Sequence, residues 1–235
     1  DIFMNAISVS MPEPEIAVPL DCKNGMYMLS KLRLSFLGEA VRNLRDAAAR
    51  ILAGNMDQAE ANAMKKQLNT SLIDIEYQLL EIFIRNGLKN LDTHDNSKIC
   101  LVFRNTSSVE ICKKHFKKFS PMVINGKTKK SDRFLFVERF NSNNNKFRVL
   151  ICNLMSVATA ISLDDKSGNH SRYVLISPSH DIINIHQLIR RFYRAGTKST
   201  PKERLVYASE YPNLRVLDSL SRRTKDMKKL VPEQV

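Results

Sequence analysis

The sequence predicts an α/β protein: a parallel sheet with helices on both faces, preceded by an α-helical insertion. Two observations carry this. From residue 98 onward, short apolar runs alternate with helical patterns of about ten residues, the rhythm of parallel strands joined by helical crossovers. Before residue 92, apolar residues instead recur at intervals of three and four over two long stretches, as in a pair of helices.

Each element follows from its residues. Residues 1–25 hold Pro12, Pro14 and Pro19 near Gly25 and read as an extended connector with a short strand over 2–9. Over 26–53 the positions 29, 32, 36, 37, 41, 44, 48, 51 and 52 keep helical spacing until Gly54-Asn55 supplies a stop. The period resumes at Asp57 and runs through Leu68, Leu72, Ile75, Leu79, Ile82 and Phe83 to Leu91, so 26–91 is expected to be an antiparallel helical pair. A polar break follows. Beyond it, KICLVF (98–103) reads as a strand, 108–119 as a helix, 122–124 as a short strand and 131–140 as a helix. Residues 141–145 read as a solvated turn, 147–152 as a strand, and the stretch through Asp165 as turns. A strand over 172–177, a helix over 183–193 and a strand over 204–208 complete one α/β domain spanning 92–210. Residues 211–235 are expected to add a helix with Leu214, Leu217 and Leu220 on one face.

At 235 residues the chain can bury a real core, and 43% hydrophobic with 26% charged residues argues against wholesale disorder. No run of about 18 apolar residues is present to span a bilayer, so no membrane partner is expected. No basic-then-apolar leader opens the chain, which reads as an excised, intracellular fragment. Cys22, Cys100, Cys112 and Cys152 are widely spaced without a CxxC pair and read as small core residues, not disulfides or metal ligands. The net charge of +13 favours an anionic partner, nucleic acid being the commonest, although a basic solvated face would give the same total.

Ligands of open α/β sheets gather at the carboxyl ends of the strands, so the residues just after each strand matter most. After KICLVF come Arg104, Asn105, Thr106 and Ser107, with Ser107 and Glu110 at capping-box spacing. Such a helix start either caps itself or offers N–H groups to a phosphate. After the short strand come Asn125, Gly126, Lys127, Thr128 and further lysines, a composition suited to backbone phosphates, which need charge and close approach but no base identity. The pattern GxxxxGK[ST] is absent, as is an acidic DExx-type box. Without those parts the chain is not expected to hydrolyse ATP efficiently by itself.

Several segments in order resemble the C-terminal RecA-like domain of superfamily 2 helicases and translocases, with spacing nearest the chromatin-remodeller type. KICLVFRNTSSVEICKKHF resembles the fourth motif, INGKTKKSDRFLFVERFNS the glycine-containing segment with its arginine-bearing helix, and FRVLICNLMSVATAISLDD the fifth motif. RYVLISPSH followed by INIHQLIRRFYRAGTKS resembles the strand and sixth motif, with Pro178, Gln187, Arg191, Arg194 and Gly196 at the remodeller spacing. The match covers about residues 98–210.

The resemblance implies that Arg191 and Arg194, three apart and expected on one helix face, are arginine fingers for the γ-phosphate of ATP. It implies ATP contacts from Gln187, Ser162 and Asp164, and nucleic-acid contacts from Arg104, Asn105, Thr106, Gly126, Lys127, Thr128, Asn153 and Ser156. ATP and Mg2+ would be held mainly by an N-terminal RecA-like domain of the same protein, absent from this chain, and the other partner would be DNA or RNA. Arg190 stands where the family has a small residue, which leaves the first finger between 190 and 191. Val157, Ala158 and Ala160 replace glycines of the fifth motif, so its polar contacts fall to Asn153, Ser156, Thr159 and Ser162. A nuclear or cytoplasmic motor, a viral one included, is one reading. A non-catalytic nucleic-acid-binding or scaffold module on the same fold is another, and a basic virion or chromatin component a third.

Overall fold

The computed structural model describes residues 18–54, 56–158, 161–179 and 181–208. The strand expected over 2–9 and the helix expected over 211–235 lie outside them. The described elements are β1 (Asp21–Tyr27), α1 (Lys31–Ala53), α2 (Gln58–Thr93), β2 (Lys98–Phe103), α3 (Thr106–His115), a 3-10 turn (Lys117–Phe119), β3 (Met122–Ile124), α4 (Lys130–Asn141), β4 (Val149–Asn153), α5 (Leu154–Val157), β5 (Arg172–Ile176), α6 (Ile182–Phe192) and β6 (Lys202–Ala208). The six strands pair in the order β1-β6-β5-β2-β4-β3, every pair parallel.

The central strands are apolar runs because both of their faces are covered. Ile99, Leu101, Phe103, Val149, Ile151 and Leu175 turn toward α1, α2 and α3, meeting Leu37, Leu79, Ile82, Phe83 and Cys112. Cys100, Val102, Leu150, Cys152, Val174 and Ile176 turn toward α4, α5 and α6, meeting Phe140, Val157, Leu188 and Phe192. Alternation along one strand thus feeds two cores. All four cysteines are free, and Cys100, Cys112 and Cys152 are buried. Among the described residues no helix is long and apolar enough to cross a membrane.

The helical pair is built as its pattern predicts, with local chemistry at each end. Ser30 caps α1 by accepting from the Arg33 N–H, and Gly54 ends it in the left-handed region at φ 74°, where glycine is unstrained. Asp57 and Glu60 form a reciprocal capping box at the start of α2. Phe83 of α2 packs on Phe103 of β2 with ring centroids 4.6 Å apart. The buried part of α2 begins near Ser71. Since α2 runs antiparallel to β2 and Glu76 meets the end of that strand, its residues 58–75, a helix about 27 Å long, lie on the carboxyl side of the sheet with α1 alongside.

Three elements differ from expectation. The stretch read as connector and as the first turns of a helix forms β1, the edge strand that pairs with β6 along its length. Its sequence, DCKNGMY, carries little strand signal, and neighbours hold it instead: Arg204 Nη2 meets Asp21 Oδ2 at 2.8 Å. The turn region after β4 begins with α5, a single helical turn capped by Asn153. The 141–145 stretch is not simply solvated, since Asn141 donates from Nδ2 to the Ser162 carbonyl at 2.7 Å.

Candidate functional site

The carboxyl edge is organised by a residue from the helical pair. Glu76 of α2 is 3% exposed and accepts from the backbone N–H groups of Arg104 and Asn105, at 2.7 and 2.9 Å, and from the hydroxyls of Ser108 and Ser177, at 2.6 and 2.7 Å. One carboxylate therefore ties α2 to the end of β2, the start of α3 and the end of β5. The expected Ser107–Glu110 capping box does not form. Asn105 is the N-cap and makes no side-chain cap bond, because the Glu76 carboxylate already supplies negative charge at the positive end of α3. Consequently the Arg104 and Asn105 N–H groups are spent within the protein.

Asn153, at the end of β4, donates from Nδ2 to the Arg104 carbonyl at 2.6 Å and accepts from the Met155 N–H. The Arg104 backbone is thus fixed on both sides while its side chain is exposed. Thr106 is exposed beside it, Ser156 is buried in α5, and the Asn105 side-chain nitrogen is buried with no hydrogen-bond partner among the described residues. At the end of β3, Asn125 and Thr128 close a tight turn: Lys127 N–H donates to Asn125 Oδ1 at 2.9 Å and Asn125 N–H to Thr128 Oγ1 at 3.0 Å. Arg133 pins this turn through the Thr128 and Asn125 carbonyls, leaving Gly126, Lys127, Lys129 and Lys130 exposed. A side chain at Gly126 would meet open space, so the glycine keeps the backbone approachable. All eight residues expected to touch nucleic acid lie on the carboxyl edge of the adjacent strands β2, β4 and β3.

The second group lies at the far end of α6. Its helix stops at Phe192, with Tyr193 already extended, so Arg191 and Arg194 do not share one helix face as their spacing predicts. Arg191 is half-buried and donates from Nε and Nη2 to the Ala158 carbonyl, at 3.0 and 2.7 Å, and from Nη1 to the Ile161 carbonyl at 3.4 Å. Burial first, and the neighbouring Arg194 second, lower its pKa. Arg194 opens a turn closed by the Thr197 N–H on its carbonyl, with Gly196 left-handed at φ 87°. Its Nε donates to the Arg190 carbonyl at 3.0 Å, and among the described residues nothing accepts from its two terminal nitrogens. Gln187 lies one turn before Arg191 and is half-buried.

The segment facing these arginines is fastened from below. Leu163 N–H donates to the Arg191 carbonyl at 2.7 Å, and Ser162 shares a short hydrogen bond with Asp164. Asp164 is 1% exposed, so it lies beneath Ser162 and not at the surface. Thr159 lies outside the described residues. Arg172, also buried, donates to the Leu163, Asp164 and His170 carbonyls, and Lys98 donates to the Phe140 and Ser142 carbonyls. Burial, reinforced by Arg172, brings the Lys98 pKa down to about 8. Burial pushes the Asp165 carboxyl up, but hydrogen bonds from Ser199 and Ser167, aided by Arg172, hold it below the ordinary value. Among the described residues, no group of three or more His, Cys, Asp or Glu could hold a metal ion.

Sequence reasoning missed Glu76. Its signal was a carboxylate inside an apolar stripe, four residues after Leu72 and three before Leu79, where a charge is retained only if it finds partners.

An all-parallel sheet in this order, with helices on both faces, is a RecA-like α/β fold. The chain is similar to the solved C-terminal part of the Fun30 ATPase domain, with a TM-score of 0.63 and 11% identity, over 94% of this chain and 97% of that one. A partial likeness, with a TM-score of 0.46 and 20% identity, links 61% of this chain to 54% of Mss116p DEAD-box helicase domain 2 bound to an RNA duplex. No family model matches the sequence, and no curated protein matches it.

Proposed function

We propose that this chain is the C-terminal motor half of an ATP-dependent nucleic-acid helicase or translocase. The observation that carries the reading is Arg194: a guanidinium at the end of α6, anchored through Nε alone, with both terminal nitrogens unclaimed among the described residues. Such a group is free to pair bidentately with a phosphate presented by a partner domain. In this reading Arg194 is the finger that reaches across the cleft. Arg191 holds the Ala158 and Ile161 carbonyls, and it would have to release them to touch phosphate itself. Gln187 and Ser162 line the nucleotide cleft, with Asp164 supporting Ser162 from beneath. ATP and Mg2+ would be held mainly by the other motor half.

The carboxyl edge is the nucleic-acid interface. Arg104, Lys127, Lys129 and Lys130 are exposed along it, and contacts of this kind neutralise phosphates without reading sequence. In the protein assembled with its first motor domain, ATP turnover is expected to rise at least tenfold on adding nucleic acid. Nucleic-acid binding with no ATP turnover at all would instead favour the scaffold reading, which the internal engagement of Arg191 supports.

A further inference from the structure

A half-open cavity of about 400 Å3 lies at the carboxyl edge, between the ends of β2, β4 and β5 and the projecting part of α2. Leu72, Leu154 and Met155 make its apolar wall, and Arg104, Ser179 and Asp181 its polar rim. The rim is preformed. Glu76 and Asn153 fix the Arg104 backbone, and Ser179 Oγ accepts the Asp181 N–H at 3.1 Å. Asp181 caps α6 through Oδ1, accepting from the Asn184 N–H, while Oδ2 accepts from the Asn184 side chain. A carboxylate offers about four acceptor positions, so Asp181 retains capacity for a further donor.

We propose that this cavity receives one base splayed out from a single-stranded nucleic acid. The proposal rests on the reading of the carboxyl edge as a nucleic-acid interface and adds a base-holding site to it. A base combines apolar faces with a hydrogen-bonding edge and is tethered to a phosphate, and the cavity offers the complement of each: an apolar wall, a carboxylate and an exposed guanidinium. Its volume falls within the range of small-ligand pockets, about 300–1,000 Å3. With Asp181 as acceptor, the site favours an exocyclic amino group, as in cytosine, over uracil, whose one edge N–H lies between two carbonyl oxygens that the carboxylate repels.

The test is fluorescence anisotropy on the 235-residue chain with labelled oligo-dC and oligo-dU 12-mers at one fixed salt concentration. The dC oligomer is expected to bind about tenfold tighter, the value of one hydrogen bond to a charged group. Asp181→Asn keeps a good helix cap and is expected to bring the two affinities together. Met155→Ala, at a side chain 63% exposed and thus harmless to folding, is expected to weaken both oligomers severalfold and leave their ratio intact. Equal binding of dC and dU by the unchanged protein, or a preference that survives Asp181→Asn, overturns the base pocket while leaving the interface standing. Failure to bind either oligomer overturns both. A polyglutamate peptide that competes as well as the oligonucleotides also overturns the pocket, marking the edge as a general anion surface.

Discussion

Glu76 and Glu203 show two opposite fates of a buried carboxylate. Glu76 satisfies four donors from three parts of the fold, so truncating it leaves two N–H groups and two hydroxyls without their acceptor. Glu76→Ala is expected to cost about 3–5 kcal/mol, read from denaturant unfolding, and Glu76→Gln distinctly less because one acceptor remains. Glu203 of β6 is fully buried beside the Cys22 thiol, and among the described residues neither carboxylate oxygen makes a hydrogen bond within normal geometry. Burial pushes its pKa well above the ordinary value. The folded chain then keeps a proton that the unfolded chain has lost, so this residue's contribution is fully present below about pH 4.3 and is lost as the pH rises. Glu203→Gln is accordingly expected to stabilise the protein by about 1–3 kcal/mol at pH 7.5, with the gain shrinking as the pH falls toward 4.5. An equal gain at both ends of that range would contradict the assignment.

At the scale of elements, α2 determines how the edge is built, and at Gly87 it packs tightly against Phe116 and Ile99. A Cβ added there would lie 2.8 Å from Phe116 Cζ and 3.3 Å from Ile99 Cδ1, both in fully buried side chains. Alanine would improve helix propensity by about 1 kcal/mol, yet the overpacking costs about 1–3 kcal/mol. Gly87→Ala is therefore expected to lower the thermal midpoint, and Gly87→Val to lower it further. The same scale explains what could be read beforehand. KICLVF was visible as a strand because burial on both faces makes its whole length apolar. DCKNGMY was not, since an edge strand held by pairing and by the Arg204–Asp21 contact needs no apolar pattern. The end of α6 was likewise hidden: RRFYR keeps helical spacing, and only the extended backbone at Tyr193 separates Arg194 from Arg191.

For the whole molecule, the order of motifs gave the fold and the two groups of candidate residues. The bonds that decide roles within each group became visible only in three dimensions. The carboxyl edge gathers the expected nucleic-acid residues, while Arg191 reaches the Ala158 carbonyl just past α5, so the two groups adjoin through the α5 turn. On the proposed reading, this adjacency would let a change at the nucleotide be felt at the strand held nearby. The most direct measurement of the proposed function is nucleic-acid-stimulated ATP turnover by this chain joined to the first motor domain that the proposal requires, carrying Arg194→Ala or Arg194→Lys. Loss of about a thousandfold or more in the alanine variant is predicted, with little rescue by lysine, which lacks the bidentate fork, and with nucleic-acid affinity within about twofold of the unchanged protein. Turnover by Arg194→Ala at the rate of the unchanged protein would contradict the account.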